Sequence, residues 1–178
     1  IEHCFINNVS DYSNYLNSDA KLQKLGVADA NGIVSALGLT KASVNSVVTS
    51  SPSISYQTHV QDYGWQSWKS NGEVSGTVGQ SKRLEGINIK LSNINGSIEY
   101  KTHVQDIGWQ DWKSNGQMSG TSGQSKRLEA IKVKLSGEAA NQYDVYYRVH
   151  AQDYGWLDWA KNGESAGTEG YSKRLEGI

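Results

Sequence analysis

The chain has 178 residues, a formal net charge of −1 and 37% apolar residues, which is length enough to bury a core. A near-neutral balance supplies no clustered cationic surface for nucleic acid, and no run approaches the ~18 apolar residues of a membrane helix, so neither nucleic acid nor membrane is expected as a partner. One cysteine, Cys4, permits no intrachain disulfide, which suits the cytoplasm or a secreted Gram-positive protein that manages without them. No charged-then-apolar leader is present, so an export signal would have been removed or lie outside this stretch. The 19 Gly, 6 Trp and 10 Tyr against one Phe and one Pro favour short strands joined by tight turns.

Residues 1–53 differ in texture from the rest and contain no Trp. Ile1–Ile6 reads as a possible strand. Ser18 is suited to cap a helix through Leu25, closed by Gly26. Asp29 or Asn31 is suited to open a second helix, closed by Gly38, and Thr40 a third over Lys41–Val48. Asp29-Ala30-Asn31-Gly32 is a poor calcium loop, because Thr40 stands where the bidentate Glu is needed. A helix start is the better reading. Cys4 beside His3 makes a weak nucleophile pair, since neighbours on an extended chain face apart. Thr49–Ser53 reads as a linker broken by the only Pro.

From residue 54 a single unit is written three times. The copies run from Tyr56 to Ile87, Tyr100 to Ile131 and Tyr146 to Ile178. His59, His103 and His150 fall in register, as do Trp65, Trp109 and Trp156, and Trp68, Trp112 and Trp159. The step is 44 residues and then 47, the excess lying in a connector between Leu135 and Tyr147. Repeats divide at 54–95, 96–140 and 141–178. Within the first, Tyr56–Gln61 alternates like a half-buried strand. Asp62-Tyr63-Gly64 turns, Trp65–Ser70 is a second strand, and Asn71-Gly72 is a two-residue hairpin signal into Glu73–Thr77. A glycine-rich loop leads to Glu85–Ser92, with Ile87, Ile89 and Leu91 on one face. Asn95-Gly96 then makes a hairpin into the next repeat. The unit is expected to be a four-stranded antiparallel meander.

The pattern H-x-Q-D-x-G-W-x-x-W-x-x-N-G, then G-T-x-G, then S-K-R-L-E-G/A-I, resembles the clostridial hydrophobic repeat with a conserved tryptophan, ChW. The resemblance covers residues 54–178 and leaves residues 1–53 outside. It implies a secreted or cell-surface protein of a clostridium-like Gram-positive bacterium. Such repeats are commonly appended to wall hydrolases or other surface proteins and attach them to wall polymers or polysaccharide.

Three such units close most naturally around a pseudo-threefold axis, which removes exposed sheet edges. A β-prism of three four-stranded sheets is preferred because the turns are short, and a β-trefoil is the alternative. The third repeat reaches Ile178 before a counterpart of Asn88–Ser92. Ile1–Ile6 or the linker near Ile54 is expected to cover that place.

Trp65 and Trp68, three apart on one strand, should point to opposite faces, one to the core and one outward. Trp65, Trp109 and Trp156 are the candidate sugar platforms, because each adjoins a turn and follows a glycine. His59, His103 and His150, Gln61, Gln105 and Gln152, and Asp62, Asp106 and Asp153 supply polar groups beside them. The plainer reading keeps the indoles in the core, binds His59 to its own sheet and lets Asp62 cap its turn. Leu84 should enter the core, with Arg83 and Glu85 facing the other way as an ion pair. One His per repeat with no nearby Cys makes metal improbable, and no cofactor motif is present. Threefold repetition suits a multivalent binder better than an enzyme. The expectation is a non-catalytic module that attaches to a cell-wall or surface polysaccharide. A protein–protein adaptor binding a surface protein partner, and a targeting fragment of a wall hydrolase, are the alternatives.

Overall fold

The computed structural model describes residues 18–37 and 51–178. The chain divides into two compact units, Ile1–Val48 and Thr49–Ile178. Ile1–Ile6, Cys4, Lys41–Val48 and the start of the linker lie outside the described residues.

In the first unit Ser18 caps helix α1, Asp19–Ala36, its hydroxyl accepting the Lys21 N–H at 3.4 Å. The two short helices expected here are one. Gly26 and Gly32 stay helical within α1 instead of turning left-handed to end it, at roughly 1 kcal/mol each relative to alanine. The Asp29–Gly32 stretch is therefore helix and not a cation loop.

In the second unit the first two repeats are each built on one long antiparallel pair. In the first repeat these are β1, Ser53–Val60, and β4, Leu84–Ser92, in register from Ser53↔Ser92 to His59↔Gly86, with a bulge at His59/Val60. The opposite edge of β1 carries β2, Gly64–Trp65, and β3, Lys69–Ser70. The second repeat reproduces this with β5, Ser97–Val104, β6, Gly108–Trp109, β7, Lys113–Ser114, and later β9, Leu128–Ser136. The unit is thus not a meander, because its first strand pairs with its last.

The Asn71-Gly72 turn forms as expected, with φ of 44° and 95° and the Glu73 N–H bonded to the Ser70 carbonyl at 3.1 Å. The chain then leaves its own sheet. In the second repeat this segment, β8 (Ser119–Gly120), pairs with β4 of the first repeat. In the third, β14 (Ala166–Gly167) pairs with β9 of the second. In the first, Gly76 bridges Gly177 of the third, and Ser75 and Ile178 exchange backbone bonds of 3.0 and 2.9 Å. Glycine makes this possible. A Cβ on Gly76, Gly120 or Gly167 would lie 2.4 Å from the carbonyl oxygen of Glu176, Glu85 or Glu129.

Asn95-Gly96 is a connector and not a hairpin, since β4 and β5 do not pair. The longer connector after β9 holds a short helix, α2, Glu138–Gln142. The third repeat consists of β10, Tyr146–Tyr147, β11, His150–Ala151, β12, Gly155–Trp156, β13, Ala160–Lys161, and β15, Leu175–Gly177. β10 pairs β13, and β11 pairs both β12 and β15. The strands therefore make sheets of five, five, three and two, none closed on itself. Ile54 does not cover the third repeat by pairing with it; its partner is Leu91.

Leu84, Leu128 and Leu175 are buried at equivalent places, with Ile87, Ile89, Ile98, Ile131 and Val133 around them. No tryptophan belongs to this core.

Candidate functional site

At the end of β1 the bulge sets His59 directly across from Trp65 of β2. The imidazole meets the indole edge-on, ring centroids 5.4 Å apart at 79°. His103–Trp109 and His150–Trp156 repeat this at 5.5 Å. Behind each imidazole stands a buried carboxylate. Glu85 Oε2 lies 3.1 Å from His59 Nδ1, while its Oε1 accepts Arg83 Nε at 2.8 Å and Nη2 at 2.6 Å. His103–Glu129–Arg127 and His150–Glu176–Arg174 match it. The His59 contact is close but poorly aligned, and Nδ1 makes no hydrogen bond. The Arg–Glu pair lies within one repeat and fixes the imidazole from behind, leaving the ring edge to the indole.

Gln61 and Asp62 serve the turn instead. The Gln61, Gln105 and Gln152 N–H groups donate to the carbonyls of Arg83, Arg127 and Arg174 at 3.0, 3.0 and 2.9 Å. Asp62, Asp106 and Asp153 adopt left-handed backbone, with φ between 60° and 68°. Their carboxylates hold Lys82, Lys126 and Lys173 at 2.5, 3.1 and 2.6 Å. The Lys82 hydrogen bond holds the Asp62 carboxyl below its usual range, and the same bond raises the Lys82 ammonium. Among the described residues, no hydrogen bond or ion pair ties these carboxylates to the indoles.

The two tryptophans of a repeat do not face apart. The chain leaves the strand after Trp65, where the next side chain turns inward: Gln66 and Gln110 accept the Gly76 and Gly120 N–H groups at 2.8 and 2.6 Å, and Leu157 packs against the core in the third repeat. Strand alternation does not cross that break. In the second repeat Lys101 consequently sits over both Trp109 (5.3 Å) and Trp112 (5.1 Å). In the third, Arg148 sits over Trp156 (5.0 Å) and Trp159 (4.8 Å). The second and third repeats thus present an indole pair on one side, and the indoles of all three repeats are partly open to solvent.

Sequence reasoning missed the cations that cover these rings. Lys132 lies over Trp109 at 4.9 Å, Lys134 over Trp112 at 4.5 Å and Lys90 over Trp68 at 4.3 Å. The signal was available: Lys101 stands two before His103 and so shares its face. The first repeat differs, with Gln57 and Asn88 at the positions of Lys101 and Lys132. Trp65, 38% exposed, has no cation over its ring among the described residues. Asn88 Oδ1 is buried and has no hydrogen-bond partner.

A family model described as ChW, clostridial hydrophobic W, matches residues 59–93, 103–137 and 150–178, more than half of the chain. The chain belongs to the ChW family. Each ChW match opens on the histidine that meets the indole and runs through the tryptophan pair to the Arg–Glu pair. The ChW repeats of this chain therefore carry the whole constellation three times. No curated protein and no solved structure matched the chain.

Proposed function

We propose that the three ChW repeats form a non-catalytic, multivalent binding module of a secreted or surface-exposed protein, and that their ligand is a cell-wall or surface polysaccharide. The observation that carries this reading is that both indoles of each repeat lie outside the core and partly open to solvent, the first of them held against its histidine at the same place each time. Sugar rings offer apolar C–H faces to such π systems and need only a few placed polar groups for orientation. In the first repeat His59 Nε2, 3.5 Å from Ser122 Oγ, stands beside the Trp65 ring as such a polar group. Three linked weak sites raise retention on a repeating polymer far beyond one site.

Backbone bonds run from the second repeat to the first, the third to the second and the first to the third. They support reading the repeats as one pseudo-threefold body, of β-prism or β-trefoil type, that presents the sites around its rim.

The test is retention on purified Gram-positive cell wall by the chain with Trp65→Ala, Trp109→Ala and Trp156→Ala together. Retention should fall to background while the circular dichroism spectrum is kept. Retention at the wild-type level would sink the reading.

A further inference from the structure

Lys101 of β5 and Lys132 of β9 stand directly opposite each other in the ladder of the second ChW repeat. Their ammonium groups lie over the same indole, Trp109, at 5.3 and 4.9 Å from its ring centroid. Both residues are half-buried. Like charges that face each other across a β ladder destabilise it. One cation is enough for a cation–indole stack, so the second lysine adds repulsion. Two acids of this repeat are already matched elsewhere: Lys134 holds Glu99 at 3.0 Å and Lys126 holds Asp106 at 3.1 Å. Among the described residues, neither Lys101 nor Lys132 forms an ion pair with a carboxylate.

The fold does not require two cations here. In the first repeat the same ladder positions hold Gln57 opposite Asn88, and the strands keep the same register. Both positions are neutral in one repeat and both charged in the next, so the two lysines act as a unit.

We propose that Lys101 and Lys132 together bind a phosphodiester, and that the wall polysaccharide held by the three repeats is one whose sugar units are joined through phosphate. This inference rests on the glycan reading above and names the polymer. Two half-buried ammonium groups without a carboxylate partner make a local excess of positive charge that one anion relieves. Lysines are separate point charges, and each can take a different oxygen of a tetrahedral phosphate. A planar carboxylate is matched better by the fork of an arginine. The first two repeats then divide the polymer between them. The Trp65 ring, with no cation over it among the described residues, takes a sugar face. The Trp109 ring is covered by ammonium groups, which take the charged link of the same polymer.

The experiment measures binding of the intact 178-residue chain to purified Gram-positive cell wall, before and after cold hydrofluoric acid, which cleaves phosphodiesters. The variant Lys101→Gln with Lys132→Asn carries the first repeat's own residues at these positions. On untreated wall it should bind roughly tenfold more weakly than the wild type, as loss of charge-assisted contacts does. Phosphate removal should weaken the wild type by a similar factor and leave the variant unchanged. The variant should unfold at a urea concentration no lower than the wild type, because a like-charge pair is gone. Equal binding of the two proteins to untreated wall overturns the proposal, as does wild-type binding undiminished by phosphate removal. A variant of lower stability makes the lysines structural and overturns it too. Loss of wild-type binding on wall whose carboxyl groups are chemically reduced, with phosphate retained, would make the anion a carboxylate and also overturn it. So would competition by heparin as strong, charge for charge, as by the phosphate polymer released from the wall. The glycan reading is judged separately on the phosphate-stripped wall. There the wild type should keep residual binding that the chain with Trp65→Ala, Trp109→Ala and Trp156→Ala lacks, and equal residual binding would count against that reading alone.

Discussion

Gly76 faces Gly177 across an antiparallel bridge that ties the first repeat to the third. At φ of 110° Gly76 stands where side chains are rarely tolerated, and a Cβ would lie 2.7 Å from the Gly177 Cα. The clash is with backbone, which cannot swing aside. Gly76→Ala is therefore expected to destabilise by about 3 kcal/mol. Gly79→Ala, also at positive φ but in open space, should cost less. Urea unfolding of the two variants distinguishes close approach from left-handed strain.

Two conspicuous ion pairs of each repeat should differ sharply in worth. Glu85 is buried, with Arg83 and His59 both against it. Removing it in Glu85→Ala leaves Arg83 without its carboxylate and should cost about 3 kcal/mol. Asp62 and Lys82 are paired on the surface, where solvent screens them. Asp62→Asn keeps a residue that tolerates left-handed backbone, and its unfolding midpoint should match the wild type.

Tyr56, Tyr100 and Tyr147 hold their hydroxyls against the carbonyls of Glu73, Gln117 and Glu164. Burial pushes all three phenols above the ordinary value of 10.0. The folded state thus keeps these protons more tightly than the unfolded chain. The associated stability is complete below pH 10.0 and is lost as pH rises through the folded-state values. A tyrosinate absorbance titration should show a late group of phenols. Unfolding free energies measured in parallel should decline above that pH.

The three repeats should not contribute equally to wall retention. The Trp109 ring carries Lys101 and Lys132, and Trp156 carries Arg148, whereas Trp65 has Gln57 and Asn88 nearby in sequence register. Trp65→Ala alone should weaken retention roughly tenfold, as loss of an aromatic anchor does, and Trp109→Ala less. Installing the first repeat's chemistry in the second through Lys101→Gln with Lys132→Asn should raise the effect of Trp109→Ala. Equal losses in all single variants would show that the cations do not gate the rings.

Much of the repeat is legible in its residues alone, and the places where that reading fails have physical causes. His59 opposite Trp65 results from a short turn at Asp62–Gly64, and the Asn71-Gly72 turn forms as its residues dictate. The path of the chain beyond that turn is not legible. A hairpin signal fixes four residues, whereas the destination of Ser75–Thr77 is set by the close approach that Gly76 allows to another repeat. The indole pair defeats a simple count because the residue after the first tryptophan, Gln66, Gln110 or Leu157, turns inward and interrupts the strand, so alternation carried across it gives opposite faces. Gly26 misleads for a related reason: it can end a helix, but at α1 it does not leave the helical conformation. The cations over the indoles escape notice because they occupy the same positions but not the same residue types from repeat to repeat.

The lending of a segment from each repeat to another has a practical outcome for anyone dissecting this chain. The first or second ChW copy cut out by itself would keep its turn and its long strand pair, yet it would display a bare ladder where β8 or β14 docks. Such a piece should seek other copies and associate or precipitate. Binding assays on excised copies would then measure stickiness, and the smallest trustworthy reagent is the trio expressed together.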